Sequence, residues 1–154
     1  MKAATLRRLM NLWPPFLLSG IHVETLSADW RQARVALRMR PWNRTHFGTH
    51  FGGSLFAMTD PFWMIMVAEN LGGDYYVWDK AAEIEFVKPG RGKVETTFQL
   101  GDDVLDAIRT AAQGGDKHLH WFESVLHDEA GDVVARVRKQ VYVRLKQRAR
   151  APAP

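Results

Sequence analysis
Cysteine is absent from this 154-residue chain. That excludes disulfides, a thiolate nucleophile and cysteine-ligated zinc or iron–sulfur sites. Long apolar runs are also missing. The longest, 61–68, falls far short of the ~18 residues that cross a bilayer. Charge of one sign is not in large excess. The 21 Lys+Arg and 17 Asp+Glu leave a formal +4, which suits an anionic ligand and is too diffuse for a nucleic-acid binder. Neither an internal repeat nor a low-complexity core is visible. The N-terminus superficially resembles a signal peptide, but Asn11, Pro14 and Pro15 interrupt its apolar stretch and no small-x-small cleavage site follows. A soluble cytoplasmic protein, with no membrane and no nucleic-acid partner, is expected.

What is present reads as one globular domain. The chain is 46% hydrophobic and 25% charged, and a domain this long buries about 70% of its unfolded surface. Leu6, Leu9, Met10 and Trp13 recur at helical spacing and predict a short amphipathic helix stopped by Pro14. The expected organisation is a helical segment over 1–19, one domain over 20–147 and a fraying basic tail over 148–154.

Strands are predicted over 21–27 and 34–40. Residues 54–71 follow and are apolar nearly all round, so a helix there must be enclosed. From Tyr75 the period becomes two, with Trp78, Ala82, Ile84 and Phe86 on one face and a turn at Pro89–Gly90. Val94, Thr96, Phe98 and Leu100 alternate in the next strand. Asp102 or Asp103 is expected to cap a helix reaching about Gln113. Strands over 117–127 and 133–146 flank a Gly-containing loop. The inward face of the last strand, Val133 to Leu145, is broken only by Lys139. The pattern predicts an α+β fold in which five or six mostly antiparallel strands wrap one long central helix. A flat sheet covered by helices also fits, but leaves the all-round apolar helix unexplained.

The loop before that helix carries the chemistry. It runs from Asn43 through His46, Gly48, His50 and Phe51 to Gly52–Gly53, and Asp60 lies two turns into the helix. A Gly-Gly pair at a helix start exposes N–H groups and admits close approach of a ligand carbonyl. A carboxylate inside an apolar helix is costly without a role or partner. Phe51, Gly52, Ser54 and Trp63 are candidates for substrate contact.

The stretch from Gly52 to Asp60 resembles the helix-start motif of hotdog-fold acyl-CoA thioesterases of the phenylacetyl-CoA thioesterase type. The downstream order of strands and the Lys88-Pro89-Gly90-Arg91-Gly92 turn are similar too. The whole combination looks like an uncharacterised branch of that superfamily, over roughly residues 20–146. The resemblance implies that Asp60 is the nucleophile or general base on a thioester. It implies that the Gly53 N–H holds the carbonyl and that Asn43 positions water or substrate. It places the site between two protomers of a homodimer or tetramer, with Asp60 from the partner. No cofactor is implied beyond the coenzyme A of the substrate, and Lys88 and Arg91 are candidates for its phosphates. One departure stands out. The family His before Gly-Gly is Phe51 here, and His50 is displaced by one. His46-Phe47-Gly48 also resembles the start of hotdog acyl dehydratases, whose acidic residue lies 14 further on.

Structural readings compete at each position. Asp60 before Pro61 is a common N-cap pair. Under the functional reading Pro61 instead kinks the helix. His46 and His50 have metal spacing, but Gly48 between them argues against a helix, and a third ligand is missing. His118 and His120 share one strand face. Lys88 and Arg91 are ordinary turn charges, and Asp79-Lys80 is a candidate ion pair. Three functions remain: a thioester hydrolase using Asp60, a dehydratase using His46 with Asp60, and a non-catalytic acyl-CoA binder.

Overall fold
Residues 1–147 are described by the computed structural model; the expected tail, 148–154, lies outside them. The order of elements is α1 (Ala3–Leu12), α2 (Pro14–Ser19), β1 (Ile21–Leu26), β2 (Gln32–Arg38), α3 (Gly52–Ala57), α4 (Phe62–Leu71), β3 (Tyr75–Phe86), β4 (Lys93–Gln99), α5 (Asp102–Ala112), β5 (His118–Asp128) and β6 (Val133–Leu145). The strands form one antiparallel sheet in the order β1-β2-β4-β5-β6-β3. The expected α+β architecture is therefore present, with six strands, a central helical unit and an N-terminal helix.

The core lies between the sheet and the helices. Phe62 and Trp63 of α4 pack on Phe98 of β4, with ring centroids 5.0 and 5.4 Å apart. The N-terminal segment belongs to the same core, since Ala3, Met10 and Phe16 are buried in it. Pro14 does end α1, but a second helix starts there, because proline is well suited to a first helical position. The Asn11 amide meets both main-chain groups of Val23, accepting from its N–H at 2.7 Å and donating to its carbonyl at 3.1 Å. It thereby occupies part of the free edge of β1.

Three expectations are corrected. First, the central helix is not continuous. α3 tightens into i→i−3 bonds, Thr59 N–H to Phe56 and Asp60 N–H to Ala57 at 3.0 and 3.1 Å, and then stops. Pro61 has no N–H to continue the ladder, so α4 starts afresh at Phe62. Nor is the helical unit enclosed on every side. Pro61 and Ile65 line an apolar groove of about 500 Å³ with Leu6, Leu9, Met10, Leu12 and Trp13 of the N-terminal segment.

Second, the inward face of β3 changes parity. Register shifts between Asp79 and Ala81, so Lys80 is the extra residue of a β-bulge. Tyr75, Val77 and Asp79 face inward before it, and Ala82 and Ile84 after it. Each stands opposite an inward residue of β6, namely Leu145, Val143, Val141, Lys139 and Val137. Trp78 was expected with Ala82 and Ile84. It faces outward instead and stacks on Tyr142, centroids 4.0 Å apart.

Third, the N-cap of α5 is Gly101, with Asp102 and Asp103 in the first turn. Carboxylates there still complement the helix dipole. Elsewhere β4 and β5 pair only at Val94–Asp128 and Glu95–His127. Beyond these the strands separate, leaving a polar cleft of about 840 Å³.

Candidate active site
The loop between β2 and α3 is held by its own polar residues. The Asn43 amide donates to the carbonyls of Ser19 and Arg38 at 2.8 and 2.9 Å, and its oxygen accepts the Arg40 N–H at 2.7 Å. Gly20 makes this possible. Its φ of +81° suits glycine, and a Cβ there would stand 2.3 Å from the Asn43 amide nitrogen. Asn43 thus ties α2, β2 and the loop together.

Further along, Arg44 and His50 form an isolated bridge, and the Thr45 and Thr49 hydroxyls meet at 2.9 Å. His46 and Phe47 are exposed at the tip, rings 3.8 Å apart. His50 points the other way, into the protein. Its N–H donates to Gly90 at 2.9 Å, and its ring Nε2–H donates to the Gly92 carbonyl at 2.8 Å. Burial holds its pKa below the ordinary histidine value, against the opposing pull of the Gly92 hydrogen bond. Nδ1 is buried with no hydrogen-bond partner. His50 therefore seats the Lys88–Gly92 turn against the loop.

α3 starts at Gly52, with Phe51 as N-cap and no side-chain cap. The Ser54 and Leu55 N–H groups both donate to the Phe51 carbonyl, at 2.9 and 3.3 Å. The Gly52 and Gly53 N–H groups precede them and have no acceptor within the helix. Aromatic rings lie over both glycines. A Cβ on Gly52 would stand 2.9 Å from Phe86, and one on Gly53 would stand 2.3 Å from Phe51. The close approach that glycine permits is thus used, on this face, by the chain's own rings. Ser54 is buried.

Asp60 lies at the break between α3 and α4. It is neither buried inside a helix, as its apolar neighbours suggested, nor the N-cap of α4, which is Pro61. Its side chain is 61% exposed, because the helix ends before it. One oxygen is ion-paired with Lys139 Nζ. The Lys139 side chain is only 4% exposed, and its ammonium also donates to Asp79 Oδ2 at 2.9 Å. The Phe56 ring lies 5.9 Å from it. Asp79 Oδ1 is buried with no hydrogen-bond partner.

Neither Lys139 nor Asp79 is singled out for catalysis by the sequence motifs. The signal for Lys139 was visible as the one charge on an otherwise apolar strand face. That for Asp79 was not, because the bulge reverses the parity its neighbours suggest. Within the chain Asp79 pairs with Lys139 in place of a local pair with Lys80.

Within one chain the candidates do not converge. Asn43 and His50 are bonded to backbone, His46 is at the loop tip, and Asp60 turns to the sheet. Trp63 is a core residue, its ring 4.4 Å from Phe122 and its Nε1–H donating to Ser124 Oγ at 2.9 Å. Lys88 is clamped by Asp128 and Asp132 at 2.6 and 2.7 Å, and these hydrogen bonds raise its pKa. Arg91 is exposed and donates to the Gly48 carbonyl at 3.0 Å. His118 and His120 lie on the inner face of β5, half-buried, with centroids 5.9 Å apart. Among the described residues, no three His, Asp or Glu side chains are grouped to hold a metal ion, and no helix is long and apolar enough to cross a membrane.

Comparison with known proteins follows the same lines. No curated protein sequence is significantly similar to the chain. Solved structures are. A Pseudomonas aeruginosa protein of unknown function, named a probable thioesterase, superposes with a TM-score of 0.79 at 21% identity, over 94% of this chain and 97% of the other. A Haemophilus influenzae thioesterase gives 0.67 at 13% identity, over 96% and 93%. The E. coli PaaI protein from the phenylacetic acid degradation operon gives 0.62 at 15% identity, over 91% of each chain. These likenesses identify the architecture as the hotdog fold. A family model described as a domain of unknown function, DUF4442, matches residues 2–143, and the chain therefore belongs to the DUF4442 family.

Proposed function
We propose that the protein is a thioester hydrolase acting on acyl- or aryl-CoA, with Asp60 as nucleophile or general base. The observation that carries this reading is the placement of Asp60. A solvent-facing carboxylate sits at a helix break, held by a buried ammonium, on the same helical unit that starts with Gly52–Gly53. The thioester carbonyl oxygen would accept the Gly53 N–H, with the helix start stabilising the oxyanion. Attack by an Asp60 oxygen on the carbonyl carbon would form an acyl anhydride and release the CoA thiolate. Water would then cleave the anhydride, freeing the acid and restoring the carboxylate. Acting as general base, Asp60 would instead take a proton from water as its oxygen attacks the same carbon.

The functional unit in this reading is a homodimer, with Gly53 from one protomer facing Asp60 of its partner. Two features support it. The side-chain ion pair of Asp60 goes to Lys139 and its N–H bond to Ala57, not to its own 43–50 loop. β3 is also an edge strand of 12 residues with exposed Tyr76, Trp78 and Phe86, a surface suited to a second chain. Arg91 is the better placed cation for the CoA phosphates, since Lys88 is already shared by two carboxylates.

The test is steady-state hydrolysis of a CoA-ester panel by wild type and Asp60→Asn. A loss of about 10²–10⁴-fold in kcat is expected from removing a general base. Equal activity of the two proteins, or no turnover of any ester by wild type, would overturn the reading.

A further inference from the structure
We infer that Lys139, backed by Asp79, is the positioning residue for the Asp60 carboxylate; this rests on the thioesterase reading. A lysine almost never lies 97% buried without paired charges, yet Lys139 does so on the inner face of β6. Its neighbours come from four separate parts of the chain. Asp60 comes from the α3–α4 break, Asp79 from β3, Phe56 from α3, and Phe122 stands opposite on β5.

The arrangement is asymmetric. Lys139 is 4% exposed, Asp79 26% and Asp60 61%. The ammonium and Asp79 form the fixed inner part, and Asp60 is the member that meets solvent. The sheet thus holds a carboxylate that its own helix does not hold. Pro61 breaks the helix just after Asp60, and as N-cap of α4 it has no side-chain cap bond to replace the lost ladder. Without Lys139 this carboxylate would sit on a turn, free to rotate. A nucleophile or base that must meet a thioester carbon within about 3–3.5 Å gains rate from such restraint.

The β-bulge supports the same assignment. Lys80 is inserted between Asp79 and Ala81, which brings Asp79 to the inner face, where an unbulged strand would alternate differently around it. Bulges commonly re-aim a side chain next to an active site.

The experiment uses the full-length protein and three single variants, Lys139→Met, Asp79→Asn and Asp60→Asn, with the double variant Lys139→Met/Asp60→Asn. Lys139→Met is expected to lower kcat for CoA-ester hydrolysis at least tenfold, with KM within twofold. The double variant is expected to be no slower than Asp60→Asn alone, because Lys139 acts through Asp60. Multiplying effects would overturn the inference. Should Lys139→Met fail to fold, Asp79→Asn carries the test, with a severalfold fall in kcat at unchanged KM. Unchanged kcat there would overturn it equally.

A readout independent of turnover separates this inference from the hydrolase reading. In protein labelled with ¹⁵N-lysine, the Lys139 ammonium should give a solvent-protected resonance that shifts in both Asp→Asn variants. If wild type hydrolyses no CoA ester, the hydrolase reading falls and this resonance decides whether the clamp exists. A Lys139 signal unmoved by either variant overturns the clamp.

Discussion
Asp79 and Lys139 meet at 2.9 Å across the β3–β6 pair because one extra residue, Lys80, turns Asp79 to the inside of the sheet. The contact joins an edge strand to its neighbour and leaves the ammonium facing Asp60 on the helical side.

Stability should respond very unequally to the members of this cluster. Removing one partner of a buried ion pair leaves an uncompensated charge, and Lys139→Met is expected to destabilise by about 3–5 kcal/mol. Asp60 is largely exposed, so Asp60→Asn should cost under about 1 kcal/mol. Urea denaturation of both variants checks this, and equal midpoints would contradict it.

Asn43 should behave as a latch. Asn43→Ala loses three hydrogen bonds to the main chain, each contributing about 1 kcal/mol or less. A fall of about 2 kcal/mol, or about 4–8 °C in Tm, is expected. A normal Tm with lost thioester hydrolysis would show instead that Asn43 serves chemistry.

Acid should weaken the fold through its histidines. Burial lowers the pKa of His50, His120 and His22 below their ordinary value of 6.5. The folded chain then binds fewer protons than the unfolded chain between the two values, so stability rises with pH. The contribution is complete above 6.5 and is lost as pH falls below it toward the folded values. Urea midpoints measured from pH 7.5 to 5 should decline, and less steeply in His50→Asn. A flat profile would refute this.

Trp63 and Ser124 should be coupled. Trp63→Phe keeps the stack on Phe122 but leaves the buried Ser124 hydroxyl without its donor. A loss of about 1–3 kcal/mol is expected. Adding Ser124→Ala should recover part of it, since no unpaired polar group then remains. Additive losses in thermal unfolding would rule out the pair as a coupled unit.

Much of the architecture was legible from periodicity. The alternation of Val94, Thr96 and Phe98, and of the valines in β6, located strands whose inner faces are buried as expected. The Pro14 boundary of α1 followed from local chemistry, since proline acts on its own backbone whatever surrounds it. Asp60–Pro61 fits either a helix start or a kink, and a fresh helix starts just after it with Pro61 as N-cap, because whether a helix survives a missing bond depends on packing beyond the local sequence.

The candidate site was less legible. Periodicity presumes an unbroken strand, and the Lys80 bulge inverted the face of β3 beyond that assumption. Asn43 and His50 had the right chemistry for a site, but the Asn43 amide nitrogen and His50 Nε2 are bound by carbonyls of Ser19, Arg38 and Gly92, which only the folded chain brings near.

By itself the sequence determined the absence of thiol chemistry, the strand–helix pattern, the glycine-led helix start and the resemblance to a hotdog-fold family. These rest on composition and on contacts within a few residues, which a linear reading can see. The tertiary structure alone decided that Asp60 is solvent-facing and that Lys139 holds it with Asp79. That choice depends on register, where one inserted residue exchanges the two faces of a strand, and on residues 60 apart in the chain, Asp79 and Lys139, meeting only after the sheet has formed.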